Sequence, residues 1–230
     1  MRIGTWNVAN RLMTKEHRDL LVDQNCDVWL LTELNRSWAD EAGTKVLHFH
    51  SRLSDNVMGP NQHWAAVLSV LPLERLNDPH PASASAVVNG ITYCSTILPW
   101  RGEKAGSKPW IGSNHEEMAD ANHEEMTAAT IQSLLTKLPK NNLVWGGDWN
   151  HSLNGKEHAG SMGGRKHLLA AIENLGLKVP TSVLSHRGDY CTAIDHIGVP
   201  LSWAVVAAIR IDAMGLSDHD AYVVEVAPGL

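Results

Sequence analysis

Residues 2–33 read RIGTWNVANRLMTKEHRDLLVDQNCDVWLLTE, and their patterning decides the architecture. Arg2 to Val8 alternates between apolar and polar positions as a strand does. Thr14 to Gln24 suits a helix, and Asp27 to Thr32 is a short apolar run of buried-strand type. A strand, helix, strand opening follows. Working outward, Trp64 to Leu71 (WAAVLSVL) reads as another strand. The run SAVVNGITYCSTIL carries Asn89-Gly90 between two β-rich halves, the strongest short hairpin signal. Leu143 to Gly146, Thr192 to Val199, Trp203 to Ile211 and Ala221 to Val226 add strands, and Arg165 to Leu175, stopped by Gly176, adds a helix. Ile131, Leu134, Leu135 and Leu138 fall on one face of a further helix. Strands outnumber helices, so pattern alone predicts an α+β protein: a mixed sheet system with a few covering helices.

The chain has 230 residues, 43% hydrophobic and 19% charged. That is ordinary globular usage, enough for one sizeable core, and one domain over residues 1–230 is expected. No stretch approaches the length of an apolar membrane span, and MRIGTWNVAN has no charged-then-apolar leader. A soluble cytoplasmic protein is therefore expected, with no membrane partner. Cys26, Cys94 and Cys191 lack metal-finger spacing and read as buried thiols. A net charge of −6 excludes a polycation that coats nucleic acid, so any phosphate-bearing partner must be met locally.

Acids, amides and a histidine collect where predicted strands end: Asn7 in TWN, Glu33 in LLTE, Asp148 and Asn150 in GGDWN, Asp218 and His219 in LSDHD. A fifth motif, AIDHI, places Asp195 inside a strand. Singly, each suits a turn or a cap. In GGDWN two glycines permit a tight bend, and Asp148 and Asn150, two apart in an extended segment, point the same way. Converging carboxylates repel by roughly 4 kcal/mol at 4 Å and an effective dielectric near 20, which implies a cation. An oxygen-rich donor set favours Mg²⁺ or Mn²⁺ over zinc, and phosphate-ester chemistry is its natural use.

The ordered set TWN, LLTE, GDWN, IDHI and SDH resembles the endonuclease/exonuclease/phosphatase family, from Asn7 to His219 and in that family's order. The resemblance implies a four-layer sandwich, two mixed β-sheets flanked by helices, with a divalent-metal site at one end. It also implies roles. Glu33 would be the principal Mg²⁺ ligand, with Asn7 and Asp218 completing the metal shell. Asp148 would activate the attacking water, and Asn150 would orient Asp148 and hold the phosphate. His219, hydrogen-bonded to Asp195, would contact the phosphoryl oxygen.

One departure stands out. Where family members commonly carry His or Tyr, in a pattern like Thr-His-Leu, STILPW offers Ile97. Arg101 in LPWRG is the candidate substitute, since a guanidinium is a fixed phosphate donor. The loop Trp100 to Trp110 also holds Lys104 and Lys108, and Trp100 is a candidate stacking surface for a base. Arg165 and Lys166 read as exposed residues near a helix start. His196 should face away from Asp195 by strand alternation.

The expected function is a divalent-metal-dependent phosphoesterase, a nuclease cleaving DNA or RNA. The alternatives are a phosphatase or phosphodiesterase for a small or lipid phosphate, and a nucleic-acid-binding protein that keeps the fold with weak chemistry. NHEEMADANHEEM, residues 114–126, is read as scaffold. Asn114 with Glu117 and Asn122 with Glu125 each fit a helix-start signal, and the two histidines lack the spacing of a zinc site. His115 is left as a minor candidate for a phosphate contact.

Overall fold

The computed structural model describes residues 1–38, 49–102, 109–110, 119–156 and 159–229. In chain order the elements are β1 (Arg2–Asn7), α1 (Lys15–Asp23), β2 (Val28–Asn35), β3 (His50–Leu53), β4 (Val57–Gly59) and β5 (Gln62–Ser69). Then come β6 (Glu74–Arg75), β7 (Ser83–Val88), β8 (Ile91–Thr96), α2 (Ala119–Lys137), β9 (Leu143–Asp148) and α3 (Met162–Asn174). The chain ends with β10 (Leu177–Lys178), β11 (Asp195–Pro200), β12 (Ala204–Ile211) and β13 (Ala221–Ala227).

The strands form two sheets. One has the order β12-β13-β1-β2-β5-β3, with β4 also on β5, and the other runs β10-β11-β9-β8-β7-β6. Among the described residues each holds one parallel pair in its middle, β1 with β2 and β8 with β9, and every other pairing is antiparallel. Parallel neighbours need a crossover, and the helices supply it: α1 lies between β1 and β2, and α2 between β8 and β9.

Strand alternation then assigns every central residue to a layer. Ile3, Val28, Leu30, Val67, Val144, Ile197 and Val224 pack between the sheets. Trp6, Trp29 and Leu31 turn the other way and meet Leu20 and Leu21 of α1. Across the second sheet, Cys94 and Trp145 meet Ile131, Leu134, Leu168 and Ile172 of α2 and α3. Three cores separate four layers, the sandwich that the sequence resemblance implied. At Gly4 an added Cβ would lie 2.3 Å from the Trp29 ring, so the glycine makes room for the fully buried indole on the paired strand.

Several expectations are met and several need correction. The Asn89-Gly90 hairpin forms, with φ of 48° and 76° across a two-residue turn closed by the Val88 and Ile91 pair. All three cysteines are free and buried. The short strands β3, β4, β6 and β10 had no sequence signal, since two to four residues carry too little periodicity. The helix expected from Arg165 starts earlier, because Ser161 caps it by accepting the Gly164 N–H at 3.1 Å. The second NHEEM copy does not start a helix: α2 already runs through Asn122, and His123 is fully buried. The His123 ring, inside that helix, joins Pro99 O at 2.9 Å and Ser161 Oγ at 2.7 Å. The first copy, with His115, lies outside the described residues.

Gly147 is the backbone position the fold cannot vary. Its φ is +119°, and a Cβ there would stand 2.2 Å from the Thr96 carbonyl oxygen on the neighbouring strand. Gly147→Ala is expected to cost roughly 2–4 kcal/mol, from a disfavoured φ plus a backbone clash. Urea unfolding against the wild type measures it, and an unchanged midpoint contradicts the assignment.

Candidate active site

The carboxyl ends of the parallel strands of both sheets point to the same end of the sandwich. β1 ends on Asn7, β2 reaches Glu33 shortly before its own end, and β9 ends on Asp148. Asp195 heads β11 rather than sitting inside a strand as expected, and its register pairs it directly with Asp148. The loop of residues 217–219 precedes β13, which pairs antiparallel with β1, so it returns to that same end.

Asn7 is the hinge of the cluster. Its Nδ2 donates to Glu33 Oε1 at 3.0 Å and to Asp148 Oδ2 at 2.9 Å, while its Oδ1 accepts the Ala9 N–H. Asp148 is buried, and its other oxygen accepts the Asn150 N–H at 2.9 Å. Burial, with the Asp195 carboxylate adding to it, lifts Asp148 to about 7. Glu33 is also raised, chiefly by burial.

His219 Nδ1 lies 2.7 Å from Asp195 Oδ2, and its Nε2 lies 3.9 Å from Asp148 Oδ2. Burial disfavours its charge, but the Asp195 and Asp148 carboxylates prevail and raise it to about 10. Asp195 is itself raised by burial, against the pull of His219. The 2.7 Å contact is a hydrogen bond, which fixes the ring and leaves Nε2 3.9 Å from Asp148 Oδ2. His219 is held in turn: Ser217 Oγ accepts its N–H and donates to the Asn7 carbonyl, and Trp6 Nε1 donates to the His219 carbonyl.

Left-handed backbone occurs at this cluster. Ala9, Asn10, Glu33 and Asn150 have φ of 48°, 56°, 51° and 51°, a left-handed conformation that costs a non-glycine residue about 1 kcal/mol or more. In Glu33 the consequence is direct. Regular alternation would send it toward α1 with Trp29 and Leu31, whereas here it reaches Asn7.

The structure thus brings together Asn7, Glu33, Asp148, Asn150, Asp195 and His219. Asp218 is exposed beside them, with Ser217 Oγ 3.4 Å away. Asn150 departs from the extended geometry expected of GGDWN. Its left-handed turn sends Nδ2 to the Leu98 carbonyl at 2.9 Å, and its backbone N–H orients Asp148. Ile97 is fully buried among Trp64, Ala82, Trp110 and Met126, an apolar plug where the family pattern has a polar ring. Trp100 is 36% exposed with its edge on Trp110, and Arg101 is exposed next to it. Lys104 and Lys108 lie outside the described residues. Arg165 donates to the Leu153 and Gly155 carbonyls and so fastens the loop after β9. His196 is buried behind the site, on Thr181 and the His151 carbonyl. Sequence reading missed Asn10, whose Nδ2 reaches Glu33 Oε2 at 3.2 Å. An asparagine in a turn gives no signal of that contact.

A family model described as Endonuclease/Exonuclease/phosphatase family matches residues 4–219. The chain belongs to this family. Solved structures similar to it over nearly its whole length include these three. An AP endonuclease from Archaeoglobus fulgidus has TM-score 0.75 and 15% identity, covering 99% of this chain and 100% of its own. The 3′ phosphatase NExo from Neisseria, bound to a product DNA hairpin, has TM-score 0.73 and 18% identity, with 99% and 100% covered. The AP endonuclease LMAP from Leishmania major has TM-score 0.64 and 13% identity, with 97% and 86% covered. At these identities the likeness establishes the endonuclease/exonuclease/phosphatase fold. No curated protein sequence matches the chain. No helix among the described residues is long and apolar enough to cross a membrane.

The His219 and Asp195 pair makes a sign-definite prediction. A histidine raised from 6.5 to about 10 stabilises the fold fully below pH 6.5, and that contribution is lost as pH rises toward 10. By NMR the His219 ring is expected to stay protonated at about pH 8, and Asp195→Asn to bring its titration down toward the ordinary range. An ordinary wild-type titration would refute the pairing.

Proposed function

We propose that this protein is a divalent-metal-dependent phosphoesterase, acting as one domain of residues 1–230, and most specifically a nuclease that hydrolyses phosphodiester bonds. The observation that carries the reading is Asp148, buried, held at both oxygens and 3.9 Å from Nε2 of His219. A carboxylate with a pKa near 7 is poised to take a proton from water at neutral pH. In this reading Asp148 orients a water and accepts its proton as the water oxygen bonds to phosphorus. The His219 N–H donates to a phosphoryl oxygen as negative charge grows there, and Asp195 keeps the ring in the required tautomer. The ester P–O bond breaks, and the departing oxygen takes its proton from solvent, because Ile97 offers none.

The donor set fits a hard cation. Asp195 Oδ1 and Asn10 Oδ1 are buried acceptors without a donor among the described residues, in a pocket of carboxylates already raised by burial. Asp148, Asp195 and His219 present ligand atoms within 4.8 Å of one another. The direct His219 to Asp195 hydrogen bond occupies that space, so Glu33 with Asn7 and Asp218 is the better cation seat. Mg²⁺ or Mn²⁺ bound there would neutralise the anionic substrate and polarise its phosphoryl oxygen.

Turnover of bis-p-nitrophenyl phosphate is expected with Mg²⁺ or Mn²⁺ and to stop with EDTA. Asp148→Asn is expected to lower kcat by about 10³-fold, and Glu33→Gln to raise the metal concentration needed for half-maximal rate. Full activity in Asp148→Asn would sink the mechanism. The net charge of −6 favours a second reading, a phosphatase for a small phosphate. A panel of DNA, RNA and inositol phosphates separates the two.

A further inference from the structure

The hairpin of residues 185–192, SHRGDYCT, stands beside the site and carries none of the residues assigned above. A β-bridge joins Ser185 to Thr192, the His186 N–H donates to Cys191 O at 2.9 Å, and the Asp189 N–H donates to His186 O at 2.9 Å. Gly188 and Asp189, at φ of 82° and 56°, make the reversal. It is clamped from outside as well. The Tyr222 hydroxyl donates to Ser185 O at 3.0 Å, and Arg210 reaches Ser185 Oγ, His186 O and Asp189 Oδ1. A surface loop held at so many points is preorganised, which lowers the entropy cost of binding with it.

Its side chains form a path to His219. The His186 ring, 7% exposed, meets the His219 ring edge-on at 5.8 Å, and Tyr190, 62% exposed, meets His186 edge-on at 5.5 Å. His186 Nδ1 is buried and has no hydrogen-bond partner among the described residues, an unfavourable arrangement. Arg187 donates one guanidinium N–H to the Ser217 carbonyl, on the residue before Asp218. That contact fixes a cation at the rim of the acidic cluster, and among the described residues it is the one hydrogen bond the guanidinium makes. In a chain of net charge −6, this is the local positive charge a phosphate partner requires.

We propose that this hairpin binds the nucleotide adjoining the scissile phosphate, Tyr190 stacking on its base and Arg187 holding its phosphate, and so selects single-stranded or unpaired nucleic acid. The proposal rests on the nuclease reading and names its substrate class. An exposed ring can stack only on a base whose own face is open, which a continuous duplex does not offer.

Fluorescence anisotropy of a short labelled oligodeoxythymidylate, in EDTA so that nothing is cleaved, tests it. Tyr190→Ala is expected to raise Kd about tenfold and Tyr190→Trp to restore it. Arg187→Ala is expected to weaken binding and to lower the slope of log Kd against log salt by about one, which loss of a purely structural tie would not do. Equal affinity of wild type, Tyr190→Ala and Arg187→Ala overturns the proposal, as does tighter binding to a blunt duplex than to the single strand. Bis-p-nitrophenyl phosphate turnover by the wild type is measured in parallel. Its failure strikes the hydrolase reading and leaves the anisotropy series to judge the hairpin.

Discussion

Two buried carboxylates face each other across neighbouring strands, Asp148 at the end of β9 and Asp195 at the start of β11. At the ~5 Å typical of paired strand positions, two such charges repel by about 3 kcal/mol at an effective dielectric near 20. The charged ring of His219 is the group that makes this tolerable, bonded to one acid and facing the other. Its position depends on β1, because Ser217 and Trp6 tie the loop of residues 217–219 to that strand. The pair of acids therefore couples one sheet to the other at the site end. Ser95 Oγ of β8 adds a second tie, donating to the Leu31 carbonyl of β2 at 2.8 Å.

The architecture explains why these groups meet. A parallel strand pair needs a helical crossover, and placing one such unit in each sheet aims the carboxyl ends of β1, β2 and β9 toward one edge. The dry layer between the sheets ends there, and the chain must turn. Turning residues with polar side chains are thus delivered to a place with low dielectric on one side and solvent on the other. That setting raises Glu33 and Asp148, and it strengthens each hydrogen bond that Asn7 and Asn10 make to them.

Much of this was legible in the chain. RIGTWN read as a strand by its alternation, DVWLLT and LVWG because short apolar runs suit a covered strand, and Asn89-Gly90 announced its hairpin through the φ values it alone accepts readily. Asn7, Glu33, Asp148, Asp195 and His219 could be singled out because each polar residue interrupts or ends an apolar run. Asn10, His186 and Arg187 could not, since their contacts lie with chain segments far away in sequence. The NHEEM repeat misled in a related way. Its cap pattern is local, whereas His123 is committed to Pro99 and Ser161.

The sequence by itself determined the order of the longer elements, the apolar runs and the identity of the strand-end acids, because alternation and turn chemistry are written within a few residues. Only the tertiary structure decided how those acids are arranged. Glu33 and Asn150 turn through left-handed backbone against the regular alternation. Asn7 shares one amide between two carboxylates, and the hairpin of residues 185–192 lies against His219. Each of these is set by register and contact between segments distant in the chain. Local periodicity carries no record of such contacts, since they are fixed when the two sheets close over their common core.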